Sequence, residues 1–315
     1  MRALHVPEAG AQPVLGELPV PAVTPGHVLI KVRAAGLNPL DNVLAAGAFA
    51  ERFPHHYPLV LGRDAAGVVE AVGEGVDHVE PGQEVFGNVP LAPPIQAGTL
   101  AEYALLPAAT VVVKPGGLDF ATAAALPLAA AAASAAVDKI GVQPGQVVLV
   151  NGAGGGVGRY AVQLLATQDV TVVGTGAPAD AERLIELGAT SVVDFTAGPV
   201  AERVRALYPE GVDALVNLVG FTPADVPLDA VRKGGSVATT TMAPDADTLA
   251  AAGLTGGMVH AQPVRETTAP LAELAAAGLL AVDVEAVLPL ERAAEGLGVL
   301  AAGQARGKIV VAFGD

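Results

Sequence analysis

The segment best suited to chemistry is Asn151-Gly152-Ala-Gly-Gly155-Gly156-Val157-Gly158-Arg159, which follows the apolar run Val147–Asn151. Its glycines at 152, 155 and 158 give a G-x-x-G-x-x-G turn between a strand-like run and an amphipathic helical pattern. A pyrophosphate has to come close to the backbone, which glycine permits, and it then meets the N–H groups and positive end of a helix. Gly152, Gly155, Gly156, Val157 and Gly158 are therefore expected to hold a dinucleotide, although a ligand-free strand-to-helix turn would use the same glycines. The next strand ends in Gly174-Thr175-Gly176-Ala177-Pro178, with no Asp or Glu at the tip. An acid there would take the ribose 2′-OH and repel a 2′-phosphate, so Thr175 points to NADP(H) over NAD(H). Asp180 and Glu182 follow closely, and Arg183 reads as the only nearby cation. Ligands sit at C-terminal strand ends in such sheets. By that rule Leu218 and Val219 pack beside the nicotinamide, and Thr239, Thr240 and Thr241 face the cofactor.

Asn38 and Asp41 lie on a loop after another apolar run. Asn38 can donate a hydrogen bond to a carbonyl that is gaining negative charge, with Asp41 orienting it or a water. An Asn-Pro turn closed by its own side chain needs the same two residues. Arg63 and Asp64 can form a salt bridge, with a structural use the expectation. His55 and His56 titrate near neutrality, but Phe53-Pro-His-His-Tyr-Pro58 also reads as a surface loop bounded by prolines. His260 reads as a packed histidine at a strand end.

Positioning these residues falls to a chain of 315 residues, which suggests two domains at a prior of about 150 residues each. There is no Cys, so disulfides, thiolate-ligated zinc and Cys nucleophiles are excluded. Lys+Arg is 17 against Asp+Glu 32, a formal charge of −15. That balance repels phosphate backbones and argues against a nucleic-acid partner. Mean hydropathy is +0.50, yet the longest uncharged stretch, Phe120 to Val137, is mostly Ala and is interrupted by Pro127. It reads as a buried helical segment rather than a membrane span. No signal peptide is visible before Gly10, so a cytoplasmic location is the expectation.

The first part of the chain reads as β, with short runs at Val28–Val32, Ala66–Val72 and Ala101–Leu106 punctuated by Pro-Gly pairs. That spacing suits a partly closed β-barrel. Strands are then expected at Val147–Asn151, Val170–Gly174, Ser191–Asp194, Ala214–Leu218, Ser236–Thr240 and Met258–Ala261. Helices are expected between them at Gly158–Ala166, Asp180–Leu187, Pro199–Tyr208 and Pro227–Val231. Continuous apolar strands alternating with helices describe a doubly wound α/β sheet. After Pro270 come a helix (Leu271–Ala277), a strand (Ala281–Leu288), a helix (Glu291–Ala302) and a last strand (Gly307–Phe313).

With these motifs in order, the chain resembles the zinc-independent quinone oxidoreductase branch of the medium-chain dehydrogenase/reductase superfamily. The resemblance rests on Gly36-Leu-Asn38-Pro-Leu-Asp41, Pro58-Leu-Val-Leu-Gly62-Arg-Asp64-Ala-Ala-Gly67, Pro81-Gly82, Gly98-Thr-Leu-Ala-Glu102-Tyr103, Ala124-Ala-Leu-Pro127, the Gly152 turn, Leu187-Gly188-Ala189, Gly234-Gly235 and Gly307-Lys308-Ile-Val. It implies a GroES-like catalytic domain from residues 1–120 and 266–315 and a Rossmann domain from 121–265, with the active site in the cleft between. It implies no metal, since Arg63-Asp64 stands where zinc-dependent relatives carry a His-Glu pair. It implies hydride transfer from NADPH to a quinone or to the C=C bond of an α,β-unsaturated carbonyl, with Asn38 and Asp41 in the site and a homodimer formed through the last Rossmann strand. Phe195 stands where relatives carry a Tyr after the third strand, beside the 2′-phosphate, and Asp180 where they carry a Lys. The shortage of hydroxyls leaves two other readings: a non-catalytic NADP(H)-binding redox sensor, or a reductase of a biosynthetic acyl or polyketide intermediate.

Overall fold

The computed structural model describes residues 1–51 and 53–314. The chain opens with β1 (Arg2–Val6), β2 (Val14–Glu17), β3 (His27–Gly36) and α1 (Pro39–Ala45). Next come β4 (Leu59–Val60), β5 (Asp64–Val72), β6 (Glu84–Asn88), β7 (Tyr103–Pro107) and β8 (Val112–Val113). Two helices follow, α2 (Phe120–Ala124) and α3 (Pro127–Ile140). The central run is β9 (Val147–Asn151), α4 (Gly156–Ala166), β10 (Thr171–Gly176), α5 (Ala181–Glu186), β11 (Ser191–Asp194), α6 (Val200–Leu207), β12 (Val212–Asn217), β13 (Val231–Thr239), α7 (Ala246–Ala251) and β14 (Thr255–Met258). The chain closes with α8 (Arg265–Ala276), β15 (Val284–Pro289), α9 (Ala293–Ala301) and β16 (Lys308–Ala312).

Two compact units result: residues 1–128 with 263–315, and residues 129–262. The first unit holds a three-stranded sheet, β2-β1-β4, and a seven-stranded one, β15-β16-β3-β5-β6-β8 with β7 also on β3. Strand β3 bends around the core by shifting register twice against β5. Its inward residues Val28, Ile30, Val32 and Ala35 pack with Leu61, Leu100 and Leu106 in one cluster. Late in the chain, β16 pairs antiparallel with β3, which places Lys308 beside Asn38.

The second unit is a six-stranded parallel sheet in the order β11-β10-β9-β12-β13-β14. The order reverses at β9, the strand that leads into the glycine turn, and such reversals place ligand crevices at C-terminal strand ends. β9 and β12 are buried on both faces because helices cover the sheet, as their unbroken apolar runs require. The Phe120–Val137 segment is buried and splits into α2 and α3 around Pro127. Among the described residues no helix is long and apolar enough to cross a membrane.

Three expectations are corrected. Pro227–Val231 is no α-helix: a single 3-10 turn over Leu228–Ala230 feeds β13, which starts early, at Val231. Pro270 does not precede the C-terminal helix but lies inside α8, where it removes one amide donor and the helix still continues. The last central strand is Thr255–Met258, ahead of the expected Met258–Ala261. Gly256 and Gly257 both take positive φ there, a pattern that masks the strand in sequence.

Candidate functional site

The glycine turn is assembled by a row of polar side chains. Thr175, Asn151, Asn217 and Thr239 end four adjacent parallel strands, and Asn217 lies level with both Asn151 and Thr239. Strands in register put such side chains within reach of each other. The Thr175 hydroxyl donates to Asn151 Oδ1 at 3.1 Å, and Asn151 Nδ2 donates to Asn217 Oδ1 at 2.9 Å. Asn217 Nδ2 reaches Thr239 Oγ1 at 3.2 Å, and that hydroxyl donates to the Ala243 carbonyl at 2.8 Å. All four residues are buried. The row ends on the turn itself, because Gly152 N–H donates to Thr175 Oγ1 at 2.8 Å.

The glycines divide by what each does. Gly152 sits at φ +87°, in the left-handed region that glycine favours. A Cβ on Gly158 would lie 2.2 Å from the Gly152 carbonyl oxygen, so the fold itself demands glycine where α4 crosses the turn. Gly155 differs: its φ is −78° and a Cβ would meet nothing closer than 3.6 Å. No neighbour in the protein requires glycine at 155, and the space beside it lies at the N-terminus of α4, where a helix favours an anion. Gly156 and Val157 supply the first backbone N–H groups of that helix. Val219 covers the other side of the turn, 2.8 Å from a Cβ built on Gly152, with Leu218 at 3.4 Å.

The other residues expected at the cofactor differ in their surroundings. The hydroxyls of Thr175 and Thr239 are engaged within the polar row and hold the turn. Thr240 is half-buried and donates its N–H to the Asn217 carbonyl. Phe195 is exposed at the end of β11. Arg183 is paired with Glu186 at 2.9 Å on the outside of α5. The cation at the turn is instead Arg159, whose Nε donates to the Gly154 carbonyl at 2.9 Å. Its partner is Asp180, with Arg159 Nη2 3.3 Å from Asp180 Oδ1. The sequence reading missed this pair because 21 residues separate its members.

In the first unit, Asn38 and Asp41 belong to a buried ionic network. Asp41 accepts from the N–H groups of Asn38 and Gly62 at 2.8 and 3.1 Å, capping α1 with Pro39 in its first turn. Asn38 Nδ2 donates to Asp64 Oδ2 at 2.9 Å, and Asn38 Oδ1 accepts from Lys308 Nζ at 2.7 Å. Asp64 Oδ1 also takes Asn88 Nδ2 at 2.8 Å and the Leu128 N–H at 3.1 Å. Arg63 donates to the carbonyls of Ala97 and Val60, and its Nε and Nη1 have no partner. The expected Arg63–Asp64 bridge is therefore replaced: Asp64 lies 4.0 Å from Lys308. Asn38 and Asp41, expected to serve the substrate, are buried and have their polar atoms engaged inside the protein.

Burial governs the titration of this network. It raises Asp41 to about 6, against the lowering influence of Arg63 and the Asn38 N–H. Burial likewise raises Asp64 and lowers Arg63 and Lys308. His56 is exposed and His55 half-buried, and desolvation followed by the Arg63 charge lowers His55. A histidine held neutral in this way is a poor acid. Among the described residues no three His, Asp or Glu side chains gather as metal ligands.

Comparison with known proteins agrees with this architecture. Residues 24–116 match the alcohol dehydrogenase GroES-like domain, and residues 187–311 match the family described as zinc-binding dehydrogenase. The mitochondrial NAD(P)H oxidoreductase RTN4IP1 of Homo sapiens is 30% identical, over 91% of this chain and 82% of its own. The 2-methylene-furan-3-one reductase of Solanum lycopersicum is 36% identical over 76% of this chain and 62% of its own. The structure of the quinone oxidoreductase from Coxiella burnetii superposes with a TM-score of 0.88 at 27% identity, covering 100% of this chain and 99% of that one. The fold is thus that of a two-domain oxidoreductase using a nicotinamide cofactor. The chain belongs to the medium-chain dehydrogenase/reductase superfamily, in its quinone oxidoreductase-like branch.

Two predictions follow from the packing at these sites. Gly158→Ala overpacks the turn and should cost about 1–3 kcal/mol in urea unfolding. Gly155→Val should leave the unfolding midpoint near wild type while calorimetric titration finds nicotinamide dinucleotide affinity lowered at least about tenfold. In the buried network, Lys308→Met strips Asp64 of its cation and should destabilise by about 3–5 kcal/mol. Asp41 carries a pH signature. Its folded pKa lies above the unfolded value, so the folded state binds the proton more tightly and stability falls as pH rises from about 4 to about 6. The full shift corresponds to about 3 kcal/mol. Urea unfolding across that window should show a shallower fall for Asp41→Asn; parallel curves would remove Asp41 as the cause.

Proposed function

We propose that this protein is an NADPH-dependent reductase of quinones or of the C=C bond of α,β-unsaturated carbonyl compounds, working without a metal. The observation that carries the reading is Gly155, a glycine with no neighbour in the protein that requires it, at the N-terminus of α4. When bound, the reduced nicotinamide supplies the hydride. The chain's part is to bind and orient. The α4 N–H groups of Gly156, Val157 and Gly158 take the pyrophosphate, the Thr175–Asn151–Asn217–Thr239 row fixes the turn, and Val219 closes one side of it. Exposed Val219, Phe221 and Met242 stand on the segments that follow β12 and β13 and offer apolar surface to a substrate of low polarity. With Asn38 and Asp41 engaged internally, the proton is drawn from solvent.

NADPH over NADH is favoured by a strand tip, Thr175-Gly-Ala177, that carries no acid, while the nearest one, Asp180, is compensated by Arg159. A homodimer through β14 is supported by that strand's position at the sheet edge, and light scattering of the purified protein checks it. The central test is steady-state oxidation of NADPH with a panel of quinones, alkenals and alkenones. Turnover with at least one class is expected. Tight NADPH binding without turnover on any of them would favour the redox-sensor reading instead.

A further inference from the structure

Arg159 and Asp180 form an almost buried ion pair, 8% and 6% exposed, against the inner side of the glycine turn. Asp180 is brought there by the 3-10 turn Pro178–Asp180 that follows β10. Its Oδ2 accepts the Ala177 N–H at 3.2 Å, which folds the carboxylate back toward the turn. A Cβ built on Gly154 would lie 3.1 Å from both Cγ and Oδ2 of Asp180. Arg159 reaches the same place from the other direction, out of the first turns of α4, with Nε on the Gly154 carbonyl at 2.9 Å and Nη2 on Asp180 Oδ1 at 3.3 Å.

The end of the second strand of such a sheet is where the adenosine ribose is read: an acid favours a 2′-hydroxyl and an arginine accommodates a 2′-phosphate. Most sites present one or the other. Here both occupy the same spot and neutralise each other. An uncompensated carboxylate would repel the phosphate dianion, and an uncompensated guanidinium would bind it through charge-assisted hydrogen bonds. Cofactor choice then depends on how the pair shares its charge. A phosphate arriving at the turn competes with Asp180 for the Nη groups of Arg159, whereas a hydroxyl leaves the pair intact.

We propose that the Arg159–Asp180 pair sets the nicotinamide cofactor preference of this protein, with Arg159 recruiting the 2′-phosphate and Asp180 restraining it. The proposal rests on the nicotinamide-binding reading of the glycine turn. Neither residue touches the reacting atoms, so both determine specificity and not chemistry. Each member, removed alone, shifts selectivity in an opposite direction, which a purely structural ion pair does not do. Loss of a structural pair weakens both cofactors together.

The test is calorimetric titration of the full chain with NADPH and with NADH, read as the ratio of the two dissociation constants. Asp180→Asn keeps an acceptor for the Ala177 N–H and removes the charge, so the preference for NADPH should rise about tenfold or more. Arg159→Met leaves the carboxylate unopposed, so the ratio should shift toward NADH by about tenfold or more. Arg159→Lys keeps the cation and should stay nearer wild type than Arg159→Met. Thermal melts by circular dichroism establish that each variant is folded. Should Arg159→Met unfold, Asp180→Asn carries the test with Arg159→Lys as its control. A ratio that stays within about threefold of wild type in the folded variants overturns the proposal while leaving the nicotinamide site standing. Failure of the wild-type protein to bind either dinucleotide overturns both.

Discussion

The nucleotide end of the second unit depends on one close approach, that of α4 to the strand-to-helix turn at Gly158. With the Gly152 carbonyl oxygen 2.2 Å from where a Cβ would stand, any side chain at 158 would push the helix away from β9. The helix N-terminus would then no longer point its N–H groups across Gly155. The rest of the arrangement maintains this contact. The hydrogen-bonded row from Thr175 to Thr239 fixes the ends of four strands relative to one another and holds Gly152 N–H by the Thr175 hydroxyl. Val219 fills the space on the opposite side. Within this rigid frame Gly155 alone of the three spaced glycines has room beside it, and that room is what an anion can use.

The first unit spends its polar residues differently. Two carboxylates, Asp41 and Asp64, and two cations, Arg63 and Lys308, lie fully inside the domain. Isolated, each would cost several kcal/mol to desolvate; together they balance in charge, with Lys308 4.0 Å from Asp64 while Arg63 donates only to carbonyls. Lys308 also joins distant parts of the chain, since it donates to the Leu37 carbonyl and to Asn38 Oδ1 from a strand near the C-terminus. Asn38 and the entry of α1 are thereby held at several points.

The glycine turn, the alternation of strands and helices and the β-rich first part were legible because they rest on local pattern: apolar runs, 3.6-residue periodicity and glycine spacing. The roles of single side chains were less so. Thr175 and Thr239 stand at strand ends, as the reading required, yet their hydroxyls are used across the sheet, and sequence does not tell which neighbour a strand-end hydroxyl will meet. Arg183 is the nearer cation along the chain, whereas the parallel sheet brings Arg159 from the preceding helix to Asp180. Asn38 and Asp41 do not lie on a loop: Asn38 is the N-cap of α1 and Asp41 stands in its first turn. Their engagement depends on Asp64, Asn88 and Lys308, which only tertiary pairing of β5, β6 and β16 with β3 and with each other brings close. Pro270 within α8 shows the same limit, since the remaining contacts of a helix decide whether it tolerates the lost donor.

The most direct test of the central claim is amide hydrogen exchange of the full chain with and without NADPH, resolved over the glycine turn. The account predicts that added NADPH slows exchange at Gly156, Val157 and Gly158 and little at Gly152 and Gly155, whose N–H groups are already held by Thr175 and by the Gly152 carbonyl. Unchanged exchange at residues 156–158 under saturating NADPH, or protection confined to other segments, would contradict it.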